Sequence, residues 1–181
     1  MVKLQEIFTP LTDDTINSLI CGQMVYITGE IYTARDLAHG RIMDMLKNGE
    51  QPPFDFNGNI VFYAGPSPTP TGFPIGSIGP TTAGRMDLYA PELISRGLKA
   101  MIGKGLRSTD VREAIKAHNG IYFAAIGGIA ALMSKCVTHV ETVAFDDLGT
   151  EAVRRLKIEK MPVIVAIDNQ GKCIYDGKLE D

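Results

Sequence analysis

Short apolar runs alternate along the chain with charged stretches of helical spacing, and this alternation predicts the elements. Thr12-Asp13-Asp14 opens a helix that continues through TINSLI and stops at Cys21-Gly22. Residues 24–33, MVYITGEIYT, are rich in β-branched and aromatic side chains and predict a strand. In ARDLAHGRIMDMLKNG, Leu37, Ile42, Met45 and Leu46 fall close to one helical face, and Asn48-Gly49 marks the stop. NIVFYA, 59–64, predicts a second strand. Residues 87–102 predict a mostly helical segment with Pro91 tolerated in its first turn. STDVREAIKAHNG, 108–120, predicts a helix capped by a hydroxyl and an acid and closed by Asn119-Gly120. IYFAAI, 121–126, reads as a buried strand, and Gly127-Gly128 leads into a short helix, IAALMSKC. VTHVETVAF, 137–145, predicts a further strand, followed by a helix over about 150–158. PVIVAID and KCIYD flank Asn169-Gln170-Gly171 as a terminal hairpin. Strands and helices alternate, so the class is α/β, and the hairpin makes the sheet mixed.

One long segment breaks the alternation. Pro66, Pro68, Pro70, Pro74 and Pro80 are interspersed with Gly65, Gly72, Gly76 and Gly79. A flexible linker would be serine-rich and charged. This one carries Phe73, Ile75 and Ile78, which predict a packed, shaped loop. Loops this long in compact domains are functional or disordered, and the apolar residues favour function.

Composition narrows the classes. The 181 residues suit a single domain spanning residues 1–181, and a 45% hydrophobic content suits a globular chain. The net charge is −3, with no basic run, which argues against nucleic acid as a partner. An anionic small molecule stays open, because a few local cations act against a mildly acidic background. The start, MVKLQEIFTP, lacks the apolar core of a signal peptide. The longest nearly apolar run, 121–133, falls short of the about 20 residues that span a bilayer. No membrane association and a cytoplasmic location are expected. Cys21, Cys136 and Cys173 are widely spaced without a CxxC pair, which favours reduced, mostly buried thiols over a disulfide framework or a metal cluster.

Candidate chemistry gathers at a few positions. Arg35 and His39 lie four residues apart at the start of a helix and share a face. A cation there does not complement the helix dipole, so the alternatives are an anion-binding arginine or a surface arginine paired with Asp36 or another acid. In IGPTTAGRMD, Thr81 and Arg85 are also four apart. A glycine-hinged approach to a helix N-terminus leaves N–H groups for an anion, and the arginine adds a fork suited to a carboxylate. Thr82 is the expected structural cap. Gly103-Lys104-Gly105 offers a lysine with little side-chain cover, but it does not match a phosphate loop, and GxGxxG is absent. His118 and His139 read as structural.

Taken together, GQMVYITGEIYTARDLAH, VFYAGPSPTP, GPTTAGRMD, IGKG and GGIAAL resemble, in order, the β subunit of class I fumarase and L-tartrate dehydratase. The resemblance covers about Leu11 to Asp176, and GPTTAGRMD and TARDLAH are its specific motifs. It implies a compact "swivelling" β/β/α domain, the equivalent of the C-terminal domain of single-chain members. It implies a hydro-lyase active only with an α subunit, as a heterodimer or α2β2 heterotetramer. The α subunit would hold a 4Fe–4S cluster through three cysteines of its own, so this chain would supply no metal ligand. Arg35, Arg85 and Lys104 would bind a C4 dicarboxylate, and Thr81 would be the catalytic candidate near the carbon that exchanges its proton. A neutral threonine is a poor base, which favours Thr81 as a positioner with a proton-relay role. Hydration of fumarate to L-malate is the leading expectation. The rivals are dehydration of L-tartrate to oxaloacetate and a non-catalytic anion-binding module on the same fold.

Overall fold

In the computed structural model, which describes residues 4–125 and 130–176, five parallel strands come first: β1 (Gln5–Phe8), β2 (Met24–Thr33), β3 (Ile60–Phe62), β4 (Ala100–Gly103) and β5 (Ile121–Ala124). Two antiparallel strands, β6 (Val137–Ala144) and β7 (Val153–Ile167), complete a seven-stranded sheet of order β1-β2-β3-β4-β5-β7-β6. β7 also pairs with β2, so β2, β3, β4, β5 and β7 form a closed ring. The 15 residues of β7 make this possible. Its last residues reach β5 while most of its length runs along β2. The ladder shifts register between Ile27 and Gly29, where Gly29 has φ 128° and Lys160 has φ 47°. Thr28 Oγ1 accepts the Lys160 N–H there at 3.0 Å. A bulge of this kind bends a strand and increases its twist, which lets the sheet curl onto itself.

Strands β3, β4 and β5 are buried on both faces, and their side chains divide between two cores. Ile60, Phe62, Ile102 and Phe123 join Ile16 and Leu19, Met133 and the loop residues Ile75 and Ile78 in one. Val61, Tyr63, Met101 and Tyr122 join the helical residues Ile42, Leu93, Val111 and Ile115 in the other. This alternation is the period of two expected of parallel strands covered on both faces. The helices are α1 (Asp13–Asn17), α2 (Asp36–Lys47), α3 (Ala90–Ser95), α4 (Thr109–Ala117) and α5 (Ala130–Lys135). Thr12 caps α1 by accepting the Thr15 N–H, and Ser108 caps α4 by accepting the Val111 N–H. The loop 66–80 is packed as expected. Ile75 and Ile78 are buried, Ser67 N–H donates to Ser77 O at 2.9 Å, and a Cβ on Gly76 would fall 2.2 Å from Ser67 O. Phe73 is the exception, exposed to 64%.

The α/β class and the mixed sheet follow the expectation. Three local readings need correction. Residues 87–102 are not one helix: α3 ends at Ser95, Gly97 takes φ 108°, and β4 begins at Ala100. The segment 150–158 is not helical: a 3-10 turn, Asp146–Glu151, runs into β7. The terminal turn forms, held by Asp168, whose Oδ1 accepts the Gln170 and Lys172 N–H groups. Its returning arm makes only the single bridge of Cys173 to Ile167 instead of a strand. β1 had no counterpart in the sequence reading. Gly127-Gly128 lies outside the described residues.

Candidate functional site

The carboxyl ends of the parallel strands carry the candidate residues. β2 leads through Ala34 to Arg35, the cap position of α2. β3 leads to Tyr63, whose carbonyl accepts the Thr81 N–H at 2.7 Å. β4 leads to Lys104, whose N–H donates to Thr81 O at 3.1 Å while its own carbonyl accepts the Ala83 N–H at 2.8 Å. This stitching draws the loop around Thr81 onto the strand ends. It requires Gly103, because a Cβ there would lie 2.9 Å from Ala83 Cβ and 3.0 Å from Tyr63 Cδ2. In parallel α/β sheets, open or closed, ligands bind at the carboxyl ends of the strands.

Charges meet across it. Arg85 lies in the 3-10 turn Ala83–Met86 that follows Thr81, and its Nε is 3.3 Å from Asp36 Oδ1. Arg35 Nε is 4.0 Å from Asp36 Oδ2, so one carboxylate stands between two guanidiniums. Arg35 Nη2 also lies 3.6 Å from Glu151 Oε1. Among the described residues the exposed Lys104 makes no ion pair. Arg35 thus combines the two readings of the sequence: it is paired with acids, and it stands beside Arg85. The contacts to Asp36 are long and partly wet, and such pairs are weak, so both arginines remain available to a stronger anion.

The Thr81 hydroxyl donates to Tyr63 O at 2.9 Å. Its proton is committed, and its lone pairs remain as acceptors. Thr82 does not act as the expected cap: it occupies the cap position with an extended backbone but makes no capping bond, and its side chain is exposed. The Thr81 and Ala83 amides are spent on Tyr63 O and Lys104 O, so these two do not form an open anion nest.

Three features lie beneath the site; the sequence places His39 only on a face shared with Arg35 and singles out neither Arg107 nor Glu151. His39 is fully buried, its Nδ1–H donating to Arg35 O at 2.8 Å and its Nε2 without a partner. Burial, more than any neighbour, pulls its pKa down to about 4, so the ring is neutral. Arg107, with a side chain 0% exposed, pairs with Asp87 at 2.6 Å and lies over the Tyr63 and Tyr122 rings, its Cζ 5.3 and 4.9 Å from their centroids. Asp87 Oδ2 also accepts the Ser108 N–H, so it ties the loop after β4 to the GRMD segment. Glu151 Oε2 accepts the Leu37 N–H at 2.8 Å, supplying the α2 cap that Arg35 cannot. The sequence offers Asp36 or another acid as the partner of Arg35, and Glu151 lies too far along the chain for spacing to pair the two.

The remaining candidates lie elsewhere. His118 sits at the exposed end of α4 and His139 is exposed on β6. The Cys21 and Cys136 thiols face the Ala166 and Leu132 carbonyls, burial pushes both pKa values up, and Cys173 is buried in the second core. Among the described residues no three Cys, His, Asp or Glu side chains group as metal ligands, so they do not fit an iron–sulfur cluster. No helix among them is long and apolar enough to cross a membrane.

The chain matches the family model of the Fumarase C-terminus over residues 1–178 and belongs to that family. Fumarate hydratase 2 of Leishmania major is 41% identical over 160 residues. The anaerobic class I fumarate hydratase of Escherichia coli K12 is 40% identical over 151 residues. These alignments cover 87% and 82% of this chain but only 28% of each relative. The chain therefore spans little more than a quarter of those proteins. A protein of Methanocaldococcus jannaschii, provisionally named L(+)-tartrate dehydratase subunit beta, is 40% identical over 175 residues, covering 93% of this chain and 90% of the relative.

Proposed function

We propose that this chain is the β subunit of a class I fumarate hydratase, reversibly hydrating fumarate to L-malate together with an α subunit. The observation that carries the reading is the pair Arg35 and Arg85 on the two sides of Asp36, at a sheet edge that also presents Thr81 and Lys104. A C4 dicarboxylate carries two negative charges. Two guanidinium forks and a lysine suit it, and Asp36 is a weakly held place-holder that such an anion displaces. Positive charge here also stabilises the extra negative charge that builds on a carboxylate when the neighbouring carbon loses its proton.

Thr81 fits a positioning role. As a base it would first have to become an alkoxide, which would face the Tyr63 carbonyl oxygen at the 2.9 Å of the present hydrogen bond. As a neutral hydroxyl it can accept a hydrogen bond from the L-malate hydroxyl through its lone pairs, and it relays a proton only when its O–H turns away from Tyr63 O. Iron–sulfur chemistry would come from a cluster on the α subunit, since the described residues here offer no ligand set. Leu37, Leu88 and Leu106, exposed to 58%, 81% and 49%, follow Arg35, Arg85 and Lys104 by two or three residues and provide apolar contact for that subunit. The assembly is a heterodimer or α2β2 heterotetramer, in the cytoplasm.

A second reading, L-tartrate dehydration, is favoured by the Methanocaldococcus relative, which is of matching length. Anaerobic co-expression with the α subunit, followed by assays of both substrates side by side, tests the two. Fumarate hydration is expected to dominate, and exclusive L-tartrate turnover reverses the order. In the active complex, Arg85→Ala is expected to abolish turnover with assembly intact. Thr81→Ser is expected to keep more activity than Thr81→Val, and equal rates would remove the hydroxyl from the mechanism.

A further inference from the structure

Glu151 ends the 3-10 turn between β6 and β7, far along the chain from the site, yet its carboxylate is built into the site. Its two oxygens serve different groups. Oε2 accepts the Leu37 N–H at 2.8 Å, in the first turn of α2, and Oε1 stands 3.6 Å from Arg35 Nη2. The side chain is only 17% exposed, so its field on Arg35 is poorly screened by solvent. The turn that carries it is pinned to the same helix: Asp147 accepts both arms of the Arg41 guanidinium, at 2.7 and 2.5 Å.

The other wall of Arg35 is equally defined. A Cβ on Gly65 would fall 2.7 Å from Thr150 Cγ2, 2.8 Å from Thr150 O and 3.2 Å from Arg35 Nη1. The guanidinium therefore occupies a slot between Gly65, Thr150 and Glu151, with Asp36 at 4.0 Å from its Nε. Its Nε is buried without a hydrogen-bond partner, so no bond at Nε fixes the fork. What fixes it is the slot and the carboxylate beside Nη2.

We infer that Glu151 is a positioning residue for Arg35, holding the guanidinium in the orientation that receives a substrate carboxylate. The inference rests on the reading of Arg35 as a dicarboxylate ligand. Glu151 also has an opposing effect, because its negative charge repels an incoming anion. Two substitutions divide the roles of the carboxylate. Glu151→Gln keeps an oxygen for the Leu37 N–H but removes the charge and sets an amide NH2 opposite Arg35 Nη2. Glu151→Ala removes everything.

The test uses the assembled enzyme and succinate, an unreactive C4 dicarboxylate, as competitive inhibitor. Glu151→Ala is expected to weaken succinate and to raise KM about tenfold, with kcat changed less, the scale of one lost charge-assisted contact. Glu151→Gln is expected to weaken succinate by about threefold to tenfold, since the Leu37 cap is kept while the carboxylate beside Arg35 is lost. In an Arg35→Gln background, Glu151→Ala is expected to add less than about twofold, because contacting residues are coupled. Equal effects of Glu151→Ala in both backgrounds, or none in either, overturn the inference. A second readout needs no turnover: the Arg35 Nε–H signal in arginine-labelled protein, expected to be protected from exchange by burial in the parent and to lose protection in Glu151→Ala. A signal that does not respond to Glu151→Ala overturns the positioning role. A signal that responds while succinate fails to bind supports the positioning role and overturns the dicarboxylate reading instead.

Discussion

His39 is held out of water with its Nδ1–H on the carbonyl of Arg35 and its Nε2 unbonded, and the surrounding groups decide its charge. Burial lowers its pKa to about 4, aided by the positive charge of Arg107 and opposed by the bond to Arg35 and by Asp36. An unfolded histidine titrates near 6.5. The folded value is the lower one, so the unfolded chain takes up a proton first. The stability this neutral ring contributes is complete above about pH 6.5 and is lost as pH falls toward about 4, by at most about 1.4 kcal/mol per pH unit. Urea midpoints between pH 7 and pH 5 are expected to fall for the parent and to fall less for His39→Phe; parallel curves would show that His39 does not carry the effect. At this scale Arg35, Thr81, Arg85 and Lys104 stood out as candidates because each lies in a short motif whose residue types suit a carboxylate. The role of His39 was not, because a histidine four residues past an arginine reads as a shared surface face, whereas only packing shows that it turns inward.

At the scale of elements, the site depends on two loops lying side by side, the one through Thr81 to Asp87 and the one through Lys104 to Ser108. Backbone bonds at Thr81 and Ala83 join them at one end. The Asp87–Arg107 pair joins them at the other, with the arginine buried and Ser108 N–H on the second carboxylate oxygen. Removing one partner of a buried pair leaves an uncompensated charge, so Asp87→Ala is expected to cost about 3–5 kcal/mol, read as a shift in denaturant midpoint. A loss below about 1 kcal/mol would mean that Arg107 finds other partners or water. The elements misread from sequence fail for related reasons. VRRLKIEK has the charge and spacing of a helix, yet β7 pairs with β2 on one side and β6 on the other, and ladders on both edges outweigh local propensity. Residues 87–102 carry good helix formers on both sides of Gly97, but Gly97 takes a positive φ and Leu98 N–H turns back to Leu93 O, which ends α3 and frees the chain for β4.

At the scale of the whole molecule, the cations sit on an open edge with exposed leucines beside each of them, and the chain spans 28% of the fumarate hydratases it matches. In the proposed assembly this face is where the α subunit docks. Leu88→Lys is expected to reduce recovery of the α subunit in co-purification by about tenfold, the scale of a buried interface side chain, while the melting temperature of the chain itself is unchanged. Full recovery of an active complex would move the docking surface elsewhere. What the sequence by itself determined is the chemistry: an α/β chain, a packed proline-rich loop and a small set of cations and hydroxyls, because residue type and short spacing are local properties. Tertiary structure alone decided the arrangement. The closure of the sheet through β7, the carboxylate of Asp36 between two arginines, the buried Asp87–Arg107 clamp and the hold of Glu151 on Arg35 all join residues through space, and the pairing of distant segments depends on packing and desolvation that no local pattern encodes.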